Sequence, residues 1–314
     1  MSFMMWMGRV LAGAVICSLL AIGSASPQSA PPMPSRGDSQ VWPSVAYSAR
    51  INRARKRKAL PSNDVTYHHG RLLPAPHIYA IYWGPSADFP PDFIQGMNDF
   101  LGAYGDTGYT KILTQYLRGR PAALPTFNPN IDVWQDASSP PATLYGLSGA
   151  LVTIGSEVCK MIGRAHAGLD LDGAYLVMTS NFANTANLCA FHASWRCGKS
   201  HSPLISIAYL PNTDNVPQCS ITPGGGRPPL ETPAATNPYS DSVRSTANLA
   251  AHELSEIITD PIFNGWYQRQ NNIVSEIADK CLTSFDHTVS LNDGYTWQLQ
   301  ELWSNANGNC IQSE

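Results

Sequence analysis

The residues best suited to chemistry lie in the segment HELSE, residues 252–256. His252 and Glu256 are four residues apart, and on a helix this spacing places both side chains on one face. An imidazole and a carboxylate placed in this way can bind the same divalent cation. Glu253 follows His252 directly, as the general base does in the HExxH helix of zinc peptidases. We therefore predict that His252 and Glu256 are metal ligands and that Glu253 is the catalytic base.

Acidic residues further along the chain can complete this centre. Glu276 lies 24 residues after His252, within EIAD, and Asp279 ends that motif. The arrangement resembles the gluzincin peptidases, although Glu256 stands where they have a second histidine. This resemblance implies Glu276 as the third ligand, with Asp279 or Asp260 accepting the other N–H of His252. Zn²⁺ is the expected ion, and the carboxylate ligands leave Ca²⁺ or Mn²⁺ open.

A second interpretation of the same residues needs no metal. In it Glu253 and Glu256 lie on an exposed helix face, His252 bonds to a loop, and Asp260 only ends the helix. The flanking sequence argues for burial, because Ala, Leu and Ile surround almost every face of the helix between 247 and 258. Buried ionisable groups need partners, and a cation would be one. The metal site is therefore the favoured interpretation.

The reactive helix must be positioned by the rest of the chain. It is expected to begin near Ser240 or Ser242 and to end where Asp260 precedes Pro261. Hydrophobic spacing predicts further helices at 93–104, 109–117 and 147–163, and strands at 77–84, 131–134, 173–180, 203–211 and 294–304. These elements alternate without a clear βαβ rhythm, which favours the α+β class. We predict a single zincin-like domain over residues 67–314, with a mixed sheet and a buried metal-site helix.

The chain before this domain has the composition of targeting and linking segments. Residues 1–25 contain Arg9, a short apolar run and small residues before a plausible cleavage point, which predicts a signal peptide. Residues 26–66 read as a Pro/Ser-rich and basic linker or prosegment, with six Arg or Lys between 50 and 58. From residue 67 onward the sequence contains 21 acidic and 12 basic residues, so its net charge has the opposite sign to that of a nucleic-acid-binding domain. We expect a secreted protein with no nucleic-acid partner and no stable membrane span after cleavage.

Export also changes the chemistry expected of the cysteines. Six of the seven lie beyond the signal peptide, and an even number in an oxidising compartment predicts up to three disulfides. A cysteine zinc site is disfavoured because the sequence contains no C-x-x-C pair. The predicted disulfides are Cys189–Cys197, Cys281–Cys310 and, from the two cysteines left over, Cys159–Cys219.

Three longer stretches resemble a known family. They are YHHGRLLPAPHIYAIYWGP from residue 67, CAFHASWRCGKSHS at 189–202, and NLAAHELSEIITDPIFNGWYQ followed by EIADKC. All three are similar to the phosphate-induced or EXORDIUM-like secreted proteins. Plant members of that family belong to the cell wall or apoplast, and microbial members tend to carry the HELxE motif. The resemblance implies an extracellular or wall-associated protein but transfers no catalytic residue.

Two functions follow from these patterns. The first is a secreted metal-dependent hydrolase, peptidase-like, in which the metal activates a water that Glu253 deprotonates. The alternative is a non-catalytic extracellular or cell-wall-associated protein with a structural cation or none. A substrate would be a peptide or a wall-associated molecule. His192 and His201 flank Cys197, and either could replace Glu276 as a ligand if their loop folds over the helix.

Overall fold

A computed structural model of the chain describes residues 63–120, 124–183, 188–214, 216, 219, 237–270, 273–282, 284 and 288–314. These residues belong to one compact unit, Met33–Glu314. The predicted signal peptide and residues 26–62 of the predicted linker lie outside the described residues. Val65 is buried, and strand β1 (Thr66–Tyr67) pairs with a later strand. The predicted domain boundary at Tyr67 therefore falls inside a strand.

A five-stranded mixed sheet forms the centre of the fold. Its strands are β2 (His77–Trp83), β3 (Val133–Asp136), β4 (Gly173–Thr179), β5 (Phe191–Trp195) and β6 (Ile205–Pro211). Their order is β3-β2-β4-β6-β5, with β5 antiparallel to β6 and the other four strands parallel. Every residue of β4 and β6 is buried, as is typical of parallel strands that are covered on both faces.

Helices cover both faces of this sheet. The α-helices are α1 (Phe93–Tyr104), α2 (Gly108–Lys111), α3 (Gly146–Arg164) and α4 (Asp241–Thr259), with 3₁₀ turns at Ser86–Asp88, Ile112–Tyr116 and Asp279–Cys281. Side chains of β4 alternate between the faces: Leu176 packs with α1 and α4, whereas Tyr175 and Val177 pack with α3. Two hydrophobic clusters result, one on each side of the sheet.

Short antiparallel strands follow α4 in the C-terminal part of the fold. They are β7 (Trp266–Gln270), β8 (Ile273–Ser275), β9 (Val289–Ser290), β10 (Thr296–Trp297), β11 (Leu302–Ser304) and β12 (Asn309–Ile311). β7 lies between β1 and β8, while β9 pairs with β10 and β11 with β12. The single strand predicted at 294–304 is therefore wrong. The strand is interrupted after β10, where the backbone N–H of Gln300 donates to the Asn248 side chain rather than to a neighbouring strand.

Helix α4 has the predicted bounds and the predicted burial. It begins after Ser240, ends at Asp260, and is buried at every position from 245 to 259. It packs against β5, β6 and α1. The interpretation of HELSE as an exposed helix face is therefore wrong, because no side chain of that segment reaches the surface.

The fold contains helices, strands and a mixed sheet, as predicted. The parallel majority of strands, with helices on both faces, was not predicted, because β3 is short and no βαβ rhythm was visible in the sequence. Strand β5 was also missed, since the consecutive His, Ala and Ser at its centre carry little strand preference. The zincin-like character of the domain stays a prediction. Among the described residues, no helix has the length and apolar character needed to span a membrane.

Three disulfides cross-link this fold. Cys281–Cys310 is confirmed, but the predicted Cys159–Cys219 pair is wrong, and so is the predicted Cys189–Cys197 pair. β5 lies between those two cysteines and separates them by roughly 13 Å along the strand alone, about twice the reach of a disulfide. The observed pairs are Cys159–Cys197, Cys189–Cys219 and Cys281–Cys310, with Cα separations of 5.3, 5.2 and 5.8 Å.

Candidate metal centre

Helix α4 brings three ionisable side chains into the interior. His252, Glu253 and Glu256 are 0%, 1% and 2% exposed. His252 Nε2 lies 3.3 Å from Glu256 Oε2, so the predicted shared face is present. This separation is close to the roughly 3.4 Å between neighbouring ligands of a tetrahedral ion with bonds of about 2.1 Å. The first two predicted ligands are therefore placed as one ion requires.

Strand β5 adds a histidine to this helix. His192 is the second residue of β5, and the alternation of the strand directs its side chain toward α4 while Phe191 packs on the opposite face. His192 Nδ1 lies 3.2 Å from Glu253 Oε2 and 3.3 Å from Glu256 Oε2. Its ring stacks on Phe263 at 4.9 Å between centroids. His192 is thus part of the cluster.

The segment after β8 supplies the predicted downstream carboxylates. Glu276 is completely buried, and its Oε2 lies 3.7 Å from His192 Nε2. Neither carboxylate oxygen of Glu276 has a hydrogen-bond partner among the described residues. The Asp279 backbone amide donates to Glu256 Oε1 at 3.1 Å, which ties this segment to α4. The EIAD motif therefore meets HELSE, as the sequence analysis expected.

The ligand atoms fall into two groups that share Glu256. His192, Glu256 and Glu276 form one group and His252, Glu253 and Glu256 the other, with the atoms of each group within 4.8 Å of one another. The predicted ligands His252, Glu256 and Glu276 are all present, but they are divided between the two groups. Glu253, predicted as a base and not a ligand, belongs to a ligand group. The exposed His201 takes no part in either group.

The outer ring nitrogen of His252 bonds to a residue that the sequence analysis did not name. Gln300 Oε1 lies 3.3 Å from His252 Nδ1. Asp279 is 4.0 Å from the opposite ring nitrogen, Nε2, and Asp260 accepts the Gly265 amide at 2.6 Å. Gln300 thus has the orienting position expected of Asp279 or Asp260. No sequence signal identifies Gln300, because a glutamine in a polar stretch has no characteristic spacing.

The acidic residues of the cluster are strongly perturbed by burial. Burial, followed by the charge of Glu256, raises the pKa of Glu276 well above its ordinary value. Burial likewise raises the pKa of Glu253, and it raises the pKa of Asp260 to about 7 and that of Asp279 to about 8. The cluster therefore holds more carboxylate than it can keep ionised by itself.

The pKa values of the two histidines and of Glu256 are shifted toward the charged forms of these groups. Burial alone would lower the pKa of both imidazoles, but hydrogen bonds and charges from Glu253 and Glu256 raise the pKa of His192 to about 9, and mainly Glu256 raises that of His252 to about 10. Burial would raise the pKa of Glu256, yet the two histidines lower it to about 2. Glu256 is therefore an anion between two protonated rings, whose protons a metal ion would displace.

The donor set fits a divalent cation. Imidazole nitrogen and carboxylate oxygen are the ligands of Zn²⁺ and Mn²⁺ sites. Buried polar atoms are normally hydrogen-bonded, so several unpartnered ones in a single cluster indicate a missing partner. Among the described residues these atoms are His192 Nε2, His252 Nε2, Glu253 Oε1, Asp260 Oδ2 and both carboxylate oxygens of Glu276.

Comparison of the chain with protein-family models, curated proteins and solved structures finds no match. The resemblances to the EXORDIUM-like proteins and to the gluzincins therefore stay predictions. The buried cluster itself is therefore the feature that bears on function.

Proposed function

We propose that this chain is an extracellular protein that binds divalent metal in its interior through the cluster on α4. The observation that carries the proposal is Glu276. Its carboxylate is completely buried, has no hydrogen-bond partner among the described residues, and faces an equally unpartnered ring nitrogen of His192 at 3.7 Å. A buried carboxylate without a partner is strongly unfavourable, and a cation between these two atoms removes the cost.

A structural role for the metal is supported by the origin of its ligands. Helix α4, strand β5 and the segment after β8 each contribute a side chain, and the chain between them is long: His192 and Glu253 are 61 residues apart. An ion that binds only the folded arrangement stabilises it by its binding free energy. The proposal of an extracellular location is supported by the three disulfides, which form in oxidising compartments.

Metal content and thermal unfolding test this proposal together. We expect the purified protein to contain tightly bound divalent transition metal, and its Tm to fall by 10 °C or more, on the order of a few kcal/mol, when a chelator removes the ion. His192→Ala should lower both metal content and Tm. His201→Ala is the matched control, because that histidine is exposed and near the same strand. Full stability in chelator, with no metal bound after reloading, would contradict the proposal.

A metal-dependent hydrolase is the second candidate, and the position of Glu253 favours it. Its Oε1 is unpartnered, its Oε2 lies 3.2 Å from His192 Nδ1, and it directly follows His252. A divalent cation bound here would supply Lewis acidity for hydrolysis. Glu253 would then accept the proton of the attacking water. The burial of every member of the cluster argues against this role for a polypeptide substrate, unless covering segments move.

Hydrolysis of a peptide library by metal-loaded protein tests the second candidate. A hydrolase should cleave some sequences, and Glu253→Gln should abolish cleavage, with the metal content of the variant measured alongside to distinguish loss of the base from loss of metal. Glu314→Gln, at an exposed terminal position, is the control that should retain full activity. Absence of cleavage by a fully loaded protein would leave the non-catalytic role as the function of this centre.

A further inference from the structure

We infer that the centre holds two divalent cations, which share Glu256 as a bridging ligand. One ion would bind to His192, Glu256 and Glu276, and the other to His252, Glu253 and Glu256. The inference rests on the proposed metal-binding function and extends it to the number and arrangement of the ions. It follows from three features of the cluster: the separation of the histidines, the hydrogen bonds on their rings, and the number of carboxylates.

The two histidines belong to different ligand groups. Ligands of one ion with bonds of about 2.1 Å lie at most about 4.2 Å apart. Even with a limit of 4.8 Å, His192 falls in the group with Glu276 and His252 in the group with Glu253. Only Glu256 belongs to both. A single ion would have to give up one of the two buried imidazoles as a ligand.

In His192 one ring nitrogen is hydrogen-bonded to a carboxylate, and the other points into the ligand group. His192 Nδ1 bonds to Glu253 Oε2 at 3.2 Å, and this carboxylate favours a proton on Nδ1. A bound ion would displace the second ring proton, on Nε2, and bind there. Among the described residues Nε2 has no hydrogen-bond partner, and it lies 3.7 Å from Glu276 Oε2. The ring is therefore oriented as a metal-binding histidine usually is, with a carboxylate on the outer nitrogen.

The second histidine is held in the same way by a different residue. The Gln300 amide donates from Nε2 to the Ala278 carbonyl at 2.5 Å, so its oxygen is the atom that faces His252 Nδ1. An oxygen there keeps the proton on Nδ1, so a bound ion would displace the proton on Nε2 and bind at that nitrogen. In the part of the chain that the structure describes, His252 Nε2 likewise makes no hydrogen bond, and it lies 3.3 Å from Glu256 Oε2. Each histidine thus presents one ligand nitrogen to its own group.

Among the described residues, Glu256 is the carboxylate that both ligand groups share. Its Oε2 lies 3.3 Å from His252 Nε2 and 3.3 Å from Nδ1 of His192, and its Oε1 accepts the Asp279 backbone amide. Carboxylate-bridged ions in two-metal sites are about 3.5–4 Å apart.

The charge of the cluster also calls for more than one ion. Five buried carboxylates surround the two histidines: Glu253, Glu256, Asp260, Glu276 and Asp279. Metal binding requires the ligand carboxylates Glu253, Glu256 and Glu276 to be ionised. One divalent ion offsets two of these three charges, whereas two ions offset all three. Uncompensated charge in a protein interior is costly, so the larger number is favoured. One imidazole and two carboxylates in each group suit Mn²⁺, Fe²⁺ or Zn²⁺.

Reloading with Mn²⁺ tests this inference on the full folded protein. Metal is removed with a chelator, Mn²⁺ is added, and bound metal is counted after equilibrium dialysis while electron paramagnetic resonance reports the coupling between ions. We expect two equivalents of Mn²⁺ and the spectrum of an exchange-coupled pair. His192→Ala and His252→Ala should each lower the content to one equivalent with an uncoupled spectrum. His201→Ala should retain two coupled ions.

The outcomes separate this inference from the proposed function. One equivalent with an uncoupled spectrum in the unsubstituted protein overturns the two-ion centre and leaves metal binding intact. No bound Mn²⁺ or Zn²⁺ overturns both. Glu253→Gln adds an independent reading, because loss of one ion marks Glu253 as a ligand, whereas retention of both overturns the assignment of Glu253. The unsubstituted protein decides the number of ions even if a variant fails to fold.

Discussion

At the scale of single residues, the centre depends on which side chains are held and which are left unpartnered. Glu256 is surrounded by donors: both imidazoles face one of its oxygens, and the Asp279 amide bonds to the other. Glu276 receives no such bond among the described residues. The difference explains why the pKa of Glu256 is lowered and that of Glu276 is raised, although both are buried. Ligand chemistry is thus decided by neighbours more than by residue type.

Gln300 should act on the metal through His252. We expect Gln300→Met to weaken metal affinity by about 10- to 100-fold, because the outer nitrogen of His252 and the Ala278 carbonyl lose their partner. The measurement is competition with a chromophoric chelator. Gln298→Met is the matched control, since Gln298 is similarly buried in the same segment and its Oε1 is unpartnered. Equal affinities for the two variants would contradict an orienting role for Gln300.

At the scale of elements, strand β5 is positioned by its contact with α3. Gly155 lies in α3 directly beneath the Trp195 ring, and a Cβ added there would lie 2.2 Å from the nearest ring carbon. Trp195 is the last residue of β5, the strand that carries His192. Close approach of the helix therefore needs a glycine at this position.

Two glycines of α3 should respond in opposite directions to alanine. Gly155→Ala should destabilise the protein by about 1–3 kcal/mol, because the Trp195 ring must move. Gly163→Ala should stabilise it by about 0.5–1 kcal/mol, since a Cβ there meets nothing within 4 Å and alanine favours the helix. Chemical denaturation measures both changes. A neutral Gly155→Ala would show that Trp195 packs elsewhere.

Glu157, on the side of α3 away from Trp195, should make the stability of the protein depend on pH. Burial raises the pKa of Glu157 to about 7, although Lys160, which also pairs with Asp136, pulls it down. The folded protein thus binds this proton more tightly than the unfolded chain, whose glutamates titrate near 4.5. The stabilisation is complete below pH 4.5 and is lost as the pH rises through 7.

Glu157→Gln should remove this contribution. Between pH 5 and pH 8 the unsubstituted protein should lose on the order of 1–3 kcal/mol more stability than the variant does. Urea unfolding at several pH values measures the difference between the two proteins, in which titration of the metal centre cancels. Parallel pH profiles would show that Lys160 keeps Glu157 ionised throughout this range.

At the scale of the whole molecule, disulfides hold the segments that meet at the centre. Cys281–Cys310 joins the turn that contains Asp279 to β12, and Cys189–Cys219 lies just before β5. Cys159–Cys197 instead connects α3 to the chain that follows β5. All three cross-links therefore adjoin ligand-bearing segments, and Cys281–Cys310 is the one next to the turn that bonds to Glu256.

Removing single disulfides should separate stability from metal affinity. Two double variants remove one disulfide each: Cys281→Ala with Cys310→Ala opens a loop of 29 residues, and Cys159→Ala with Cys197→Ala opens one of 38 residues. Each variant should lower the free energy of unfolding by about 3–4 kcal/mol. Only the first pair should also weaken metal binding, because it frees the turn that bonds to Glu256. Calorimetric titration of both variants at low temperature makes the comparison. Equal metal affinities would show that the turn is held without its disulfide.

Interactions between residues close in sequence allowed part of this fold to be predicted from the sequence. The ends of α4 follow from a serine before the helix and an aspartate before proline, and its 3.6-residue repeat places His252 and Glu256 on one face. β2, β4 and β6 were likewise visible as apolar runs between turn residues. Each of these depends on neighbours within a few positions, so a single sequence contains what is needed.

Only the tertiary structure decided the rest. His192 and Gln300 reach α4 from 61 and 48 residues away, and no spacing within either segment indicates the partner. The pairing of Cys189 with Cys219 depends on the length of a strand that the sequence analysis missed. The division of the ligands into two groups requires distances between three separate elements. Such contacts depend on how the sheet and helices pack together. Because this packing involves the whole chain, a pattern within a short segment does not predict it.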